Sequence, residues 1–166
     1  MEYTDKLLRD ALFVAENAHK NQRYDEIFPY MKHIHDVIDV LKRFDFKSNK
    51  MLIAAALHDV IEDDGISYND INKHFNAEVA EMVYCVTDEL GRNRREKKEK
   101  TLPKTARNQD AIILKLADRI ANIEHGGKID MYAKEHQEFK GALYLNTRAD
   151  GIRMWEYLDV LLKINL

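Results

Sequence analysis

Four residues of metal-binding type stand at separated points of the sequence: His33, the adjacent pair His58-Asp59, and Asp118. Imidazole nitrogens and carboxylate oxygens together form a mixed ligand set that suits Mn²⁺, Fe²⁺, Co²⁺, Ni²⁺ or Zn²⁺. Each residue taken singly has an ordinary explanation, because a lone buried histidine is usually a satisfied core residue and a lone aspartate usually caps a helix or pairs with a base. Taken together, the four residues predict a site for one divalent metal ion.

Glu62 and Asp63 follow the His58-Asp59 pair at a spacing of four residues. In a continuous helix over 49–63, these two acids would lie one turn beyond the candidate ligands and face the same site. That position suits general acid–base catalysis, in which a carboxylate takes a proton from water and later returns one to the leaving group. The alternative is a helix end that meets solvent, although acids at that end oppose the helix dipole.

Helical periodicity surrounds each of these positions. A helix over about 30–44 carries His33 on its apolar stripe and His35 off it, and a helix over about 106–124 carries Asp118 among apolar residues. Further helices are predicted over about 4–20, 49–63, 67–75 and 77–89, with two or three more between about 128 and 166. Thr4, Ser48, Ser67 and Asn76 are the predicted N-caps. No strand pattern, internal repeat or linker is evident.

The composition predicts one soluble all-α domain that spans residues 1–166. Hydrophobic residues make up 45% of the chain and charged residues 33%, and only two prolines and six glycines interrupt it. The net charge of −3 argues against nucleic-acid binding, which usually needs a basic excess. A single cysteine excludes an internal disulfide, and no apolar run reaches the roughly 20 residues of a membrane span. A reduced, cytoplasmic setting is therefore expected.

One strongly basic run covers residues 92–100 and includes Arg94 and Lys98. Its cations could gather the distal phosphates of a ligand. A solvated helix face, with ordinary pairs of opposite charge four residues apart, explains the same run equally well. Thr101-Leu102-Pro103 is expected to break the run.

The ordered pattern His … His-Asp … Asp resembles the HD-domain phosphohydrolases. Within them it is most similar to the hydrolase domain of RelA/SpoT-type alarmone enzymes and their small stand-alone relatives. The similarity runs from about residue 12 to about residue 125. Its segments are Pro29-Tyr30-Met31-Lys32-His33, Ala56-Leu57-His58-Asp59-Val60-Ile61-Glu62-Asp63, Val86-Thr87-Asp88, Leu102-Pro103-Lys104 and Lys115-Leu116-Ala117-Asp118-Arg119-Ile120-Ala121-Asn122.

This resemblance implies an HD-domain helical bundle in which the four residues of the pattern hold one divalent ion, Mn²⁺ above the other candidates. It implies a phosphohydrolase that removes the 3′-pyrophosphate of (p)ppGpp, with Glu62 and Asp63 as the catalytic pair. Arg23 would then touch the nucleotide, and Asn122 would line the pocket beside the metal. The partner implied is a small phosphorylated nucleotide.

Three positions depart from the family pattern. Ile34 stands where alarmone hydrolases typically have proline, and Tyr24 and Arg119 stand where they commonly have lysine. These departures leave the substrate open, and the alternatives are a phosphatase acting on NADPH or a nucleoside monophosphate, or a module that binds an alarmone without cleaving it. An intact Glu62-Asp63 pair favours an enzyme. A purely structural helical domain would not account for four ligand-type residues in family order.

Overall fold

The computed structural model describes residues 3–63 and 65–164, apart from the side chain of Asp63. The helices are α1 (Asp5–Ala18), α2 (Met31–Arg43), α3 (Asn49–Leu57), α4 (Val60–Asp63), α5 (Tyr68–Phe75), α6 (Ala77–Val86), α7 (Arg94–Thr105), α8 (Gln109–Glu124), α9 (Ile129–Leu143) and α10 (Ile152–Leu161). Two 3₁₀ turns, Tyr144–Asn146 and Ala149–Gly151, join α9 to α10. The predicted all-α architecture is confirmed. Over the described ranges, no helix has both the length and the apolar composition that crossing a membrane requires.

Polar caps fix where several helices begin. The side chains of Thr4, Ser48 and Ser67 each accept a hydrogen bond from the backbone N–H three residues on. Ser67 also forms a capping box with Asp70, whose carboxylate accepts the Ser67 N–H. The side chain of Asn76 caps α6 by accepting hydrogen bonds from the backbone N–H groups of Glu78 and Val79. All four caps predicted from the sequence are confirmed.

The core is built around α3, which is buried on every side. Ala54, Ala55 and Ala56 are fully buried, so α1, α2 and α6 approach this helix closely. Helix α8 packs along α2 and α3, and α10 covers the outer side of α8 with the buried ring of Trp155. The ends of α2, α3 and the middle of α8 therefore meet, and these are the segments that carry the candidate metal ligands.

A short antiparallel ribbon precedes α2, where no strand was predicted. Strand β1 (Arg23–Tyr24) pairs with strand β2 (Phe28–Pro29). Asp25 and Glu26 turn the chain between them with φ angles of 55° and 60°. Strands of two residues are too short to leave an alternating pattern, so periodicity could not reveal the ribbon.

The prediction of one continuous helix over 49–63 is wrong. Helix α3 ends and α4 begins on either side of His58 and Asp59, which form a turn between them. His58 Nδ1 lies 2.8 Å from the Ala55 carbonyl oxygen, and the His58 backbone nitrogen lies 3.5 Å from the same oxygen. Because this carbonyl is engaged by the residue three positions on, the α-helical pattern stops at the turn.

Thr101-Leu102-Pro103, which was expected to break the basic run, lies inside α7, and this helix continues through Pro103 to Thr105. Contacts with the end of α6 hold this last turn in place. The Thr105 hydroxyl donates to the Cys85 carbonyl at 2.6 Å. Lys104 donates to the Thr87 carbonyl at 2.8 Å. These tertiary contacts offset the hydrogen bond that proline cannot make, so the basic run lies on a well-anchored helix.

Gly151 is buried just before α10, where a larger residue has no room. An added Cβ would lie 2.4 Å from Ile113 Cδ1 and 2.9 Å from Thr147 Cγ2. Overpacking of this kind costs about 1–3 kcal/mol, so Gly151→Ala should lower the free energy of unfolding by that amount. A Cβ added at Gly141 in α9 would meet no atom of a neighbouring residue within 4 Å, and Gly141→Ala should raise the free energy of unfolding by about 0.5–1 kcal/mol. Urea unfolding of both variants tests this, and shifts of the same sign would contradict it.

Candidate active site

His33, His58 and Asp118 come together where α2, the α3–α4 turn and α8 meet. One ligand atom from each lies within 4.8 Å of the others, and both histidines are buried. His33 Nε2 lies 3.1 Å from Asp118 Oδ1, and His58 Nε2 lies 3.8 Å from the same oxygen. Side chains that are far apart in the sequence thus form one compact group.

Asp59 borders this group through one carboxylate oxygen. Its Oδ2 atom lies 3.0 Å from His58 Nε2 and 3.7 Å from His33 Nε2. The same oxygen accepts a hydrogen bond from the Tyr30 hydroxyl at 2.5 Å. The structure therefore brings all four predicted ligands to one place, and Tyr30 fixes one of them from outside. We call these four residues the ligand cluster.

The charges of the ligand cluster fit a divalent cation. Burial lowers the pKa of His58, but Asp59 and Asp118 outweigh it and raise this pKa well above its usual value. Burial raises the pKa of Asp118, but hydrogen bonds with His33 and His58 bring it well below its usual value. Two half-buried carboxylates thus need positive charge beside them, which a proton on His58 can supply in part and a divalent ion in full.

The orientation of His58 also fits metal ligation. Its Nδ1 atom must donate to the Ala55 carbonyl, because a carbonyl oxygen can only accept. In the neutral ring, Nε2 then carries the lone pair, and this buried nitrogen faces carboxylate oxygens of Asp59 and Asp118 at 3.0 and 3.8 Å. A metal-bound histidine typically donates its other ring N–H to a backbone carbonyl or a carboxylate. His58 is therefore oriented to bind a metal ion through Nε2.

A polar cavity of about 220 Å³ opens beside the ligand cluster. Glu62 and Asp88 extend its acidic side, and its basic side is lined by Arg94, Lys98, Lys115 and Arg119. Carboxylates and imidazoles hold cations, whereas lysine and arginine side chains hold phosphate oxygens. The cavity therefore suits a phosphate ester placed next to a cation.

Glu62 is exposed as a residue, but its carboxylate end lines this cavity. The carboxylate accepts a hydrogen bond from the backbone N–H of Asp88. Removal of water from the carboxylate, and then repulsion by Asp59, raise the pKa of Glu62 to about 7, although the Asp88 N–H lowers it. A carboxyl group in this range can both take and return a proton. The side chain of Asp63, its predicted partner, lies outside the part of the chain that the structure describes.

Asp88, in the loop between α6 and α7, holds two lysines at the cavity. Lys98 donates to both Asp88 oxygens, at 2.8 and 2.7 Å. Lys115 lies 3.5 Å from Asp88 and 4.0 Å from Asp118. Burial lowers the pKa of Lys115, but these two carboxylates outweigh it and raise the pKa above its usual value, which keeps the lysine charged. Lys115 was not predicted as a site residue, although it stands in the same family motif as Asp118.

The ribbon contributes Tyr24 rather than Arg23 to this region. Arg23 is exposed on β1 and does not line the cavity, so its contact with a nucleotide stays a prediction. The Tyr24 ring lies 5.0 Å from the His33 ring, and its hydroxyl donates to Asn122 at 2.9 Å. Asn122 in turn donates to Asp118 at 2.8 Å and lines the cavity.

A second cavity, of about 170 Å³, adjoins the first, and Asn122 and Tyr132 line both. Tyr24 and His125 stand against each other on its wall, with ring centroids 4.3 Å apart. Aromatic rings of this kind form stacking surfaces for nucleobases. The two cavities together therefore offer an ionic chamber beside an aromatic one, which suits the two ends of a nucleotide.

The fold and the ligand cluster define an all-α domain that brings a His, His-Asp, Asp set together. A family model described as HD domain matches residues 11–139. The chain belongs to the HD domain family.

Two curated relatives show where this chain is placed within the family. The bifunctional (p)ppGpp synthase/hydrolase SpoT of Escherichia coli (strain K12) is 35% identical over an alignment of 133 residues that covers 75% of this chain but only 18% of SpoT. The guanosine-3′,5′-bis(diphosphate) 3′-pyrophosphohydrolase MESH1 of Drosophila melanogaster is 30% identical over an alignment of 125 residues that covers 73% of this chain and 70% of MESH1. This chain thus matches a fraction of the bifunctional protein and most of the smaller one.

Solved structures agree with the sequence comparison. One is a metazoan ortholog of SpoT that hydrolyzes ppGpp and plays a role in starvation responses. It superposes with a TM-score of 0.79 over 98% of this chain and 97% of that chain, at 25% identity. A second, lmo0812 from Listeria monocytogenes EGD-e, gives a TM-score of 0.61 at 21% identity over 79% of this chain and 94% of that chain. The second match shows the fold alone.

Proposed function

We propose that this protein is a metal-dependent phosphohydrolase that removes the 3′-pyrophosphate of (p)ppGpp. The observation that carries the proposal is the meeting of a cation-type ligand cluster and four basic side chains in one cavity. The names of the relatives, which specify guanosine-3′,5′-bis(diphosphate), support the choice of nucleotide.

The ligand cluster holds one divalent ion in this proposal, and we propose Mn²⁺, with Zn²⁺, Fe²⁺, Co²⁺ and Ni²⁺ also compatible with its nitrogen and oxygen ligands. When bound, such an ion lowers the pKa of a water molecule and polarises a phosphoryl oxygen. His58 is oriented by its bond to Ala55, and Asp59 by its bond to Tyr30. These supports keep two ligands aligned without help from the substrate.

The side chains around the ligand cluster transfer protons and bind the phosphate groups in this proposal. Glu62 takes a proton from the attacking water, and Glu62 or Asp63 returns one to the leaving oxygen. Lys115 faces the reacting phosphate, because it is the base nearest to the ligand cluster, 4.0 Å from Asp118. Arg94 and Lys98 hold the more distant phosphates through charge-assisted hydrogen bonds.

The nucleoside lies toward the second cavity. Tyr24, His125 and Tyr132 give the base an aromatic surface, and such stacking is worth about 1–3 kcal/mol per base. Asn122 stands between the two cavities and contacts the sugar, while Arg23 reaches the base or sugar from the ribbon. Because both cavities are small and the chain is acidic overall, we propose a small nucleotide substrate rather than nucleic acid, and a cytoplasmic site of action.

The experiment is a substrate screen with each metal in turn. Purified protein is incubated with ppGpp, NADPH or nucleoside monophosphates in the presence of Mn²⁺, Zn²⁺, Fe²⁺, Co²⁺ or Ni²⁺, and every product is resolved by ion-exchange chromatography. Metal-dependent release of pyrophosphate and guanosine 5′-diphosphate from ppGpp is expected. Phosphate release from another nucleotide, with ppGpp intact, would assign a different substrate, and tight binding of ppGpp without products would make the protein a binding module.

Tyr30→Phe tests the support of the ligand cluster. Loss of the hydroxyl removes the hydrogen bond that fixes Asp59. Loss of such a partner typically weakens metal affinity or activity about 10–100-fold, and we expect the metal dissociation constant to rise by that factor. Tyr144→Phe, on an exposed ring in the turn after α9, is the matched control and should leave the metal affinity unchanged. Equal metal affinities in the two variants would remove Tyr30 from the site.

A further inference from the structure

Two arginines share one carboxylate on the basic side of the cavity. Arg94, at the start of α7, donates to Glu135 through both Nε and Nη2, the second at 3.1 Å. Arg119 on α8 places its Nη2 atom 3.4 Å from the same carboxylate. Glu135 on α9 thus holds two guanidinium groups from different helices side by side, and both arginines line the cavity.

Arg119 is a buried charge whose hydrogen bonds are incomplete. It is 4% exposed, and its guanidinium stacks 3.6 Å from the centre of the Phe139 ring. Its Nη1 atom has no hydrogen-bond partner within the described ranges. Buried donors are normally satisfied, so this one indicates that a bound ligand supplies an acceptor.

The arginine pair also carries excess positive charge, since one carboxylate faces two guanidinium groups. Planar guanidinium groups match phosphate oxygens in paired hydrogen bonds, which is why arginine is common at phosphate-binding sites. Lys115 rather than either arginine lies next to the ligand cluster. The described contacts of Arg94 and Arg119 are with Glu135, Tyr132 and Phe139, not with the ligand cluster. Lys115 can therefore contact the reacting phosphate, and the arginine pair remains available to bind another phosphate group.

We infer that Arg94 and Arg119 form a second anion subsite, which takes a phosphate group of the nucleotide other than the one being cleaved. The inference rests on the proposed function, because it takes the reacting phosphate to lie at the ligand cluster. In a nucleotide phosphorylated on both the 3′ and 5′ oxygens, the 3′ group reacts and the 5′ group binds the arginine pair. The subsite makes the 5′ phosphates a determinant of selectivity.

The test compares two substrates that differ only in the 5′ phosphates, guanosine 3′,5′-bis(diphosphate) and guanosine 3′-diphosphate. Arg94→Gln should lower kcat/KM about ten-fold for the first substrate, as the loss of charge-assisted contacts predicts, and less than about two-fold for the second. Arg119→Lys keeps the charge but loses the planar fork of donors. It should also lower the ratio of kcat/KM for the first substrate to kcat/KM for the second. Circular dichroism and metal content establish that both variants are folded and loaded.

Arg92→Gln is the matched control, because it makes the same charge change two residues before Arg94. The Arg92 side chain is 90% exposed and pairs with Glu96 on the surface. The ratio of kcat/KM values for the two substrates should therefore stay at the wild-type value. Calorimetric binding of guanosine 5′-diphosphate supplies a readout without turnover, and it should weaken about ten-fold in Arg94→Gln and not in Arg92→Gln.

Equal losses on the two substrates in Arg94→Gln, or the same change in ratio in Arg92→Gln, would overturn the subsite. A wild-type protein that binds guanosine 5′-diphosphate through Arg94 but hydrolyses neither substrate would instead overturn the proposed reaction and leave the anion subsite standing.

Discussion

Asp118→Asn should abolish stable binding of the divalent ion while the helical fold survives. The amide keeps the shape of the side chain but removes its negative charge and leaves one neutral, weaker oxygen ligand. Asp118 lies within reach of both His33 and His58, so its charge acts at the centre of the ligand cluster. Losing a supporting residue outside a metal site typically costs about 10–100-fold in affinity, and losing a charged ligand should cost more than that.

Elemental analysis after gel filtration measures the metal retained, and circular dichroism measures the helical content. His35→Ala is the control for a histidine on the same helix, because His35 is exposed and points away from the ligand cluster. It should retain the metal content of the wild-type protein. Wild-type metal content in Asp118→Asn would remove this residue from the ligand cluster, and metal loss in His35→Ala would show that the assay reports damage to α2 instead.

The parts of the fold that the sequence predicted are those controlled by local chemistry. Caps such as Ser67 act within four residues, and an apolar stripe such as that of α2 repeats within one helix, so both can be recognised without knowing the tertiary structure. The break at His58 is different. It depends on the His58 ring nitrogen, which bonds the Ala55 carbonyl, and a pattern of residue types does not specify the rotamer that makes this bond.

The ligand cluster could be predicted because each ligand interrupts an apolar pattern with a group that needs compensation. Lys115 and Arg119 carry no such signal, since a base on a helix normally extends into solvent. They are functional candidates only because α8 is enclosed by α2, α3, α6, α9 and α10, which leaves the two bases 8% and 4% exposed. Burial on every face of a helix is a tertiary property that periodicity does not report.

The pairing of Asp88 with Lys98 was likewise beyond prediction, because a loop and the start of α7 separate the two residues. The sequence identified the basic run but could not distinguish its solvated members from those facing the cavity. In the structure, solvated and cavity-facing members of the run lie within a single turn of α7. Arg95 pairs with Glu99 on the exposed side of α7, whereas Lys98 turns inward to the cavity.

Glu62→Gln should lower kcat by about 10²–10⁴-fold while metal and nucleotide binding remain, because the amide keeps volume and hydrogen bonding but cannot accept a proton. The continuous helix over 49–63, from which Glu62 was predicted to face the site, is absent. The hydrogen bond from the Asp88 N–H nevertheless directs the Glu62 carboxylate to the cavity. A cation held by Asp59 would cancel the repulsion that this carboxylate exerts on Glu62, which favours the ionised, proton-accepting form at neutral pH.

Turnover, elemental analysis and calorimetric titration with substrate are measured on the same preparation of Glu62→Gln, and Asp63→Asn is predicted to behave in the same way. Glu89→Gln makes the same chemical change on a residue that pairs with Lys104 outside the cavity, and its kcat should stay within about two-fold of wild type. Glu62→Gln should also unfold at slightly higher denaturant concentration, since it removes a charge that Asp59 and Asp88 repel. If Glu62→Gln loses its metal together with its activity, Glu62 is a ligand rather than a base. If it keeps full turnover, the proton goes to another group, and the Asp88 bond has only a structural role.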